Sequence, residues 1–159
     1  MSDQTWQGDA IGLVEAFRSG ERSPREELES AYAAIDASDL NAVCFADREA
    51  AFAAADAADI DKPFGGVPIG VKSLTEVEGW PYDEASVPLR DRVGEITTTQ
   101  VDRIERLGGA VLAAQTTSSE FGGVNLTRSE LYGATHNLSL IHISEPTRPP
   151  VASRMPSSA

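Results

Sequence analysis

Apolar residues first recur at helical spacing between Asp9 and Ser19. Ile11, Leu13, Val14 and Phe17 predict a helix of about three turns, and Gly20 follows where a left-handed C-cap belongs. Ser23-Pro24-Arg25-Glu26 opens a second helix. The serine hydroxyl can accept from the N3 amide, proline at N1 loses nothing by lacking an N–H, and the glutamate can reach back. That helix carries Leu28, Ala31, Tyr32 and Ile35. Asn41 to Ala46 predicts a short buried strand, and Asp47 opens a third, alanine-rich helix to about Ala58.

Beyond Pro63-Phe64-Gly65-Gly66, the run Val67 to Val71 alternates too little for a half-exposed strand and predicts one buried on both faces. Turn-rich sequence fills Glu78 to Val93. One of Thr97, Thr98 and Thr99 is expected to cap a helix carrying Val101, Ile104 and Leu107, which ends at Gly108-Gly109. Ala110 to Ala114 is then a further buried strand. Helix, glycine, buried strand in that order predicts the α/β class, a sheet covered by helices.

Composition narrows the function classes. The chain has 159 residues, 41% hydrophobic and 24% charged, which suits one globular domain. A formal net charge of -12 disfavours non-specific binding to nucleic-acid phosphates, so no nucleic-acid partner is expected. No stretch reaches transmembrane length and the N-terminus lacks a secretion-signal pattern, so no membrane association and a cytoplasmic location are expected. Cys44 is the only cysteine, which excludes an intramolecular disulfide, and its apolar neighbours describe a small buried side chain rather than a nucleophile. No Cys/His cluster has zinc-ligand spacing, and neither GxxxxGK[ST] nor GxGxxG occurs, so no metal or cofactor is expected.

Lys72 is the residue that changes the picture. It is one of only two lysines and ends the apolar run Gly66-Val67-Pro68-Ile69-Gly70-Val71. A lysine in water holds its proton near neutral pH, whereas burial disfavours the charged form and makes the amine a usable base. From position alone, an ordinary strand-end lysine reaching for water is the favoured explanation.

The surrounding motifs add weight. The segments PFGGVPIGVKSLTEVEGWP (63 to 81), LGGAVLAAQTTSSEFG (107 to 122) and SELYGATHN (129 to 137), in that order, resemble the amidase signature family of serine amidohydrolases. The resemblance runs over roughly residues 8 to 137. It implies the N-terminal part of the amidase signature fold, a mixed sheet core covered by helices, truncated before its end. It also implies that Lys72 is the lysine of a Ser, cis-Ser, Lys triad, which hydrolyses a carboxylic amide through a serine acyl-enzyme, and that the partner is a small-molecule amide substrate.

The chain departs from the family pattern at Ser73, where aspartate is common, and at Gln115 and Thr117, where lysine and asparagine are common. Glu120, His136 and Asp83 have no defined mutual spacing, and surface or hydrogen-bonding roles are expected for them. The resemblance calls for a Gly/Ser-rich stretch with the bridging serine and, further on, the nucleophilic serine in another glycine-lined turn; the sequence contains neither, and residues 138–159 have no glycine. LSLIHISEPTR (138 to 148) instead resembles the translation of a transposase adapter used in preparing sequencing libraries. The expected organisation is therefore an N-terminal portion of an amidase domain over 1–137 and a non-native or disordered tail over 138–159. The parent protein is expected to be an amidase and the chain as printed to be inactive. The alternatives are a non-catalytic fragment, or a parent that is the glutaminase subunit of a tRNA-dependent amidotransferase.

Overall fold

The computed structural model describes residues 5–136; the expected tail lies outside them. Helix α1 (Ala10–Ser19) starts at Asp9, whose carboxylate accepts from the Gly12 amide at 2.8 Å, and stops at Gly20 in the left-handed region at φ 74°. Leu13, Val14 and Phe17 are buried as predicted, whereas Ile11 faces solvent. Helix α2 (Pro24–Asp36) has both halves of the capping box: Ser23 Oγ accepts from the Glu26 amide at 3.2 Å and Glu26 accepts from the Ser23 amide at 2.8 Å. Helix α3 (Arg48–Asp56) is capped by Asp47, which accepts from the Ala50 amide. The sequence signals for these three helices hold because each start is a local side-chain bond that needs no tertiary context.

Three strands form the main sheet: β1 (Val43–Phe45), β2 (Pro68–Lys72) and β3 (Val111–Thr116), in the order β1-β3-β2. Strand β3 runs antiparallel to β1 and parallel to β2, so the sheet is mixed. The crossover from β2 to β3 carries α4 (Thr99–Asp102), which widens into a π-helical turn over Arg103–Leu107. A two-residue hairpin, β4 (Arg128–Ser129) with β5 (Gly133–Ala134), completes the described chain.

The central strand is buried on both sides. Val111 and Ala113 pack under α2 and α3 with Leu28, Tyr32, Ala51 and Ala55. Leu112 packs against the cluster Val71, Val77, Trp80 and Val101. Leu28 is fully buried, worth about 1.5–3 kcal/mol in transfer free energy. The Tyr32 hydroxyl donates to the Ala113 carbonyl at 2.7 Å, which satisfies a polar group that the helix–sheet interface would otherwise strand. Helix α1 closes a third cluster over Val67 and Ile69.

Two expectations are corrected. Strand β2 is not buried on both faces: Val67 and Val71 are buried, but Gly70 and Lys72 are exposed. It is an edge strand among the described residues, and an apolar run by itself does not tell an edge from a centre. The fourth helix ends at Gly108 as expected, but it is α-helical only over Thr99–Asp102 and is less buried than its periodicity predicts. Thr98 sits at the N-cap without a side-chain cap bond, and Ile104 and Leu107 are exposed. The wider turn after Asp102 rotates these two residues off the face that buries Val101.

Candidate active site

The parallel pair β2 and β3 ends at Lys72 and Thr116, which are register partners. In open α/β sheets, ligands bind outside the carboxyl ends of the strands. Just before this end the pairing slips: Ile69 faces Leu112 and Gly70 faces Ala114, leaving Ala113 as an extra residue on β3. Such a bulge re-aims the side chains that follow it. The ladder then continues past the strands, the Ser73 amide donating to the Thr116 carbonyl at 2.9 Å, and the Thr75 amide donating to the Lys72 carbonyl at 2.8 Å closes a turn.

Polar burial concentrates at this end. Of the eight buried polar or charged side chains described, every one but Glu27 belongs to the segment after β2, the end of β3, or the loops bonded to them. Ser73 Oγ and Ser118 Oγ are 2.8 Å apart, each residue 1% exposed. Gln115 donates through Nε2 to the Pro81 carbonyl at 2.8 Å, and the Cys44 thiol donates to the Gln115 amide oxygen at 3.6 Å. Burial, and after it the charge of Asp83, pushes the Cys44 thiol up to about 11. Such a thiol is a poor nucleophile near neutral pH, as the sequence suggested, although the side chain is half-buried rather than buried.

Three segments are tied across the edge by Asn41. Its Nδ2 donates to the carbonyls of Tyr132 and Ala134 at 2.7 and 3.1 Å, while its own carbonyl accepts from Thr135 Oγ1 at 2.7 Å. Thr117 and Thr135 hydroxyls meet at 2.6 Å beside it. On the far side, Ser86 donates to Glu120 at 2.7 Å, and Phe121 N–H donates to the Glu84 carbonyl at 3.0 Å. All four non-glycine residues in the left-handed region described, Asn41, Glu84, Ala85 and Phe121, lie in these loops. Each such conformation costs of order 1–3 kcal/mol, and strain of this kind clusters at functional sites.

Asp83 is buried and accepts from the Ala85 amide at 2.8 Å and from the Tyr132 hydroxyl. Glu120 is exposed and takes the Ser86 hydroxyl; His136 is exposed and anchored through its backbone amide to Leu40. None of the three faces another as an acid–base pair, in keeping with the structural roles expected from sequence. Ser118, Ser86, Tyr132 and Asn41 were not singled out by sequence reasoning. The polar run Thr116-Thr117-Ser118-Ser119 directly after a buried strand was the signal that could have found the first of them.

The two lysines differ in kind. Lys62 donates to the Arg106 carbonyl at 3.0 Å and closes the end of the π-helical turn. Lys72 is exposed, and among the described residues its ammonium has no hydrogen-bond or ion-pair partner. Its own apolar strand does not shelter the amine: Val71 turns inward, and Lys72, next in an alternating strand, turns outward. Ser73 and Ser118 do not serve as nucleophiles beside it, because a hydroxyl with 1% exposure has no access to a substrate carbonyl. Among the described residues no group of three His, Cys, Asp or Glu side chains could hold a metal ion, and no helix is long and apolar enough to cross a membrane.

Comparison with known proteins supplies the context. The Amidase family model matches residues 26–138. An acylamidase from Rhodococcus erythropolis is 32% identical over 137 residues, covering 80% of this chain and 28% of the relative. A glutamyl-tRNA(Gln) amidotransferase subunit from Methanosphaera stadtmanae is 32% identical over 136 residues, covering 80% of this chain and 30% of its own length. The crystal structure of a bacterial aryl acylamidase of the amidase signature enzymes superposes with a TM-score of 0.75 at 28% identity, over 86% of this chain and 30% of that one. The chain thus spans less than a third of the length of the relatives it matches. Over that span both the sequence and the mixed, helix-covered sheet place it in the amidase family.

Proposed function

We propose that the complete protein is an amidase that hydrolyses a small carboxylic amide through a serine acyl-enzyme, with Lys72 as the base of a Ser, cis-Ser, Lys relay. The observation that carries this reading is the position of Lys72: an amine with no partner among the described residues, at the carboxyl end of a parallel strand pair, in a chain whose family match spans residues 26–138. In the relay, neutral Lys72 takes a proton from the bridging serine hydroxyl, which takes one from the attacking serine as its oxygen bonds the amide carbon. Protons return along the same path to the leaving amine, and water then hydrolyses the ester.

Both serines are assigned to residues further along than those matched, and the same part of the protein is assigned the cover that takes Lys72 out of water. Desolvation is what makes a lysine a base near neutral pH, and the exposed Lys72 of the described residues lacks it. This proposal needs no metal or cofactor, no nucleic acid and no membrane, and takes the cytoplasm as the compartment.

A second reading, the glutaminase subunit of a tRNA-dependent amidotransferase, is favoured by the 32% identity to an amidotransferase subunit, equal to that with the acylamidase. The two separate on one assay of the full-length protein. Hydrolysis of a simple aryl or aliphatic amide by the protein alone supports the amidase; ammonia release from glutamine only in the presence of partner subunits supports the amidotransferase. Absence of turnover in both would sink the enzymatic reading and leave a non-catalytic protein.

A further inference from the structure

We propose that the buried Ser73–Ser118 hydroxyl pair is a positioning device that fixes the backbone from which Lys72 projects. The inference rests on the reading of Lys72 as the catalytic base. Lysine has a long flexible side chain, so the placement of its amine depends first on how rigidly its root is held. Among the described residues, the root of Lys72 is the last residue of an edge strand, where backbone order normally fades.

Three bonds oppose that fading. Thr75 N–H to the Lys72 carbonyl, at 2.8 Å, closes the turn that leaves the strand, and Ser73 N–H to the Thr116 carbonyl, at 2.9 Å, adds one more rung to the ladder. The third is the Ser73 Oγ to Ser118 Oγ bond at 2.8 Å, which joins residue 73 to the segment leaving β3. Leu74, the residue after Ser73, lies against the same loop: a Cβ placed on Gly122 would meet Leu74 Cδ1 at 2.7 Å. The strand end bearing Lys72 is therefore bonded to the loop leaving β3 through both backbone and side chain.

A hydroxyl pair is an unusual choice for a site with 1% exposure, because two apolar side chains of similar size would satisfy packing without any polar burial. What the hydroxyls add is direction. Displacing a catalytic group by about 1 Å costs about 100-fold in rate, which gives this geometry its value.

The test uses the full-length protein and compares wild type with Lys72→Ala, Ser73→Ala, Ser118→Ala and the Ser73→Ala/Ser118→Ala double variant, measuring kcat, KM and thermal unfolding. Each single serine variant leaves one buried hydroxyl unpaired and is expected to be less stable, with kcat down about 10- to 100-fold and KM little changed. The double variant distinguishes the roles. Removing both hydroxyls removes the unpaired group, so stability is expected to recover toward wild type while kcat stays low. Recovery of kcat together with stability would reduce the pair to a fold element and overturn the proposal, as would wild-type kcat in either single variant or failure of the double variant to fold. Lys72→Ala reports separately: if it keeps wild-type turnover, the base assignment has failed rather than the positioning step.

Discussion

The Tyr132 hydroxyl donates to the buried carboxylate of Asp83 across 49 residues of chain, tying the β4–β5 hairpin to the loop that follows β2. Asp83 also accepts from the Ala85 amide, so both of its oxygens are engaged. Asp83→Ala is expected to leave the phenol and the amide without an acceptor and to destabilise the fold by about 1–3 kcal/mol, read as a drop in thermal midpoint. An unchanged midpoint would mean that water replaces the carboxylate.

The same contact gives an alkaline prediction. Burial, then the bond to Asp83, raises Tyr132 above the ordinary phenol value of 10.0, and burial raises Tyr32 likewise. A group whose folded value is raised binds its proton more tightly when folded. Its stabilisation is complete below pH 10 and is lost as pH climbs through the folded value. Ultraviolet titration should show late ionisation of Tyr132 and Tyr32, with one late step vanishing in Tyr132→Phe and one in Tyr32→Phe.

Cys44 offers a check on the sheet's polar end. With its thiol pushed up to about 11, it stays protonated at pH 8, and alkylation of the native protein is expected to be slower than that of the urea-unfolded chain. Equal rates would place Cys44 in solvent rather than against Gln115.

Gly65 tests the turn that delivers the chain into β2. A Cβ at this position would lie 2.2 Å from the Asp59 carbonyl oxygen and 2.6 Å from Ile60 Cα, both backbone atoms that cannot step aside. Gly65→Ala is therefore expected to destabilise by about 2–3 kcal/mol or more, at the high end for single substitutions, measured by denaturant unfolding. A change under ~0.5 kcal/mol would mean that the turn relaxes freely.

Legibility in the sequence followed the range of the interactions. Asp9, Ser23 and Asp47 announce their helices because a cap is a contact within three residues. Gly20 announces an end for the same reason. What the sequence hides is non-local: that β2 lies at an edge among the described residues, that Ala113 is a bulge, and that Asn41 reaches Tyr132 and Ala134. The periodicity of Val101, Ile104 and Leu107 misleads because a π-helical turn changes the angular step without a composition signal. For the site, motif order led to Lys72, while the serine pair and the Asp83–Tyr132 contact join segments 45 and 49 residues apart that no local pattern connects.

The central claim is that Lys72 is a base, and substitution in the full-length protein tests it most directly. With a simple aryl amide as substrate, Lys72→Ala should fold as wild type does and lose kcat by about 10²–10⁴-fold, the usual contribution of a positioned general base. Wild-type turnover in the folded Lys72→Ala variant would contradict the assignment.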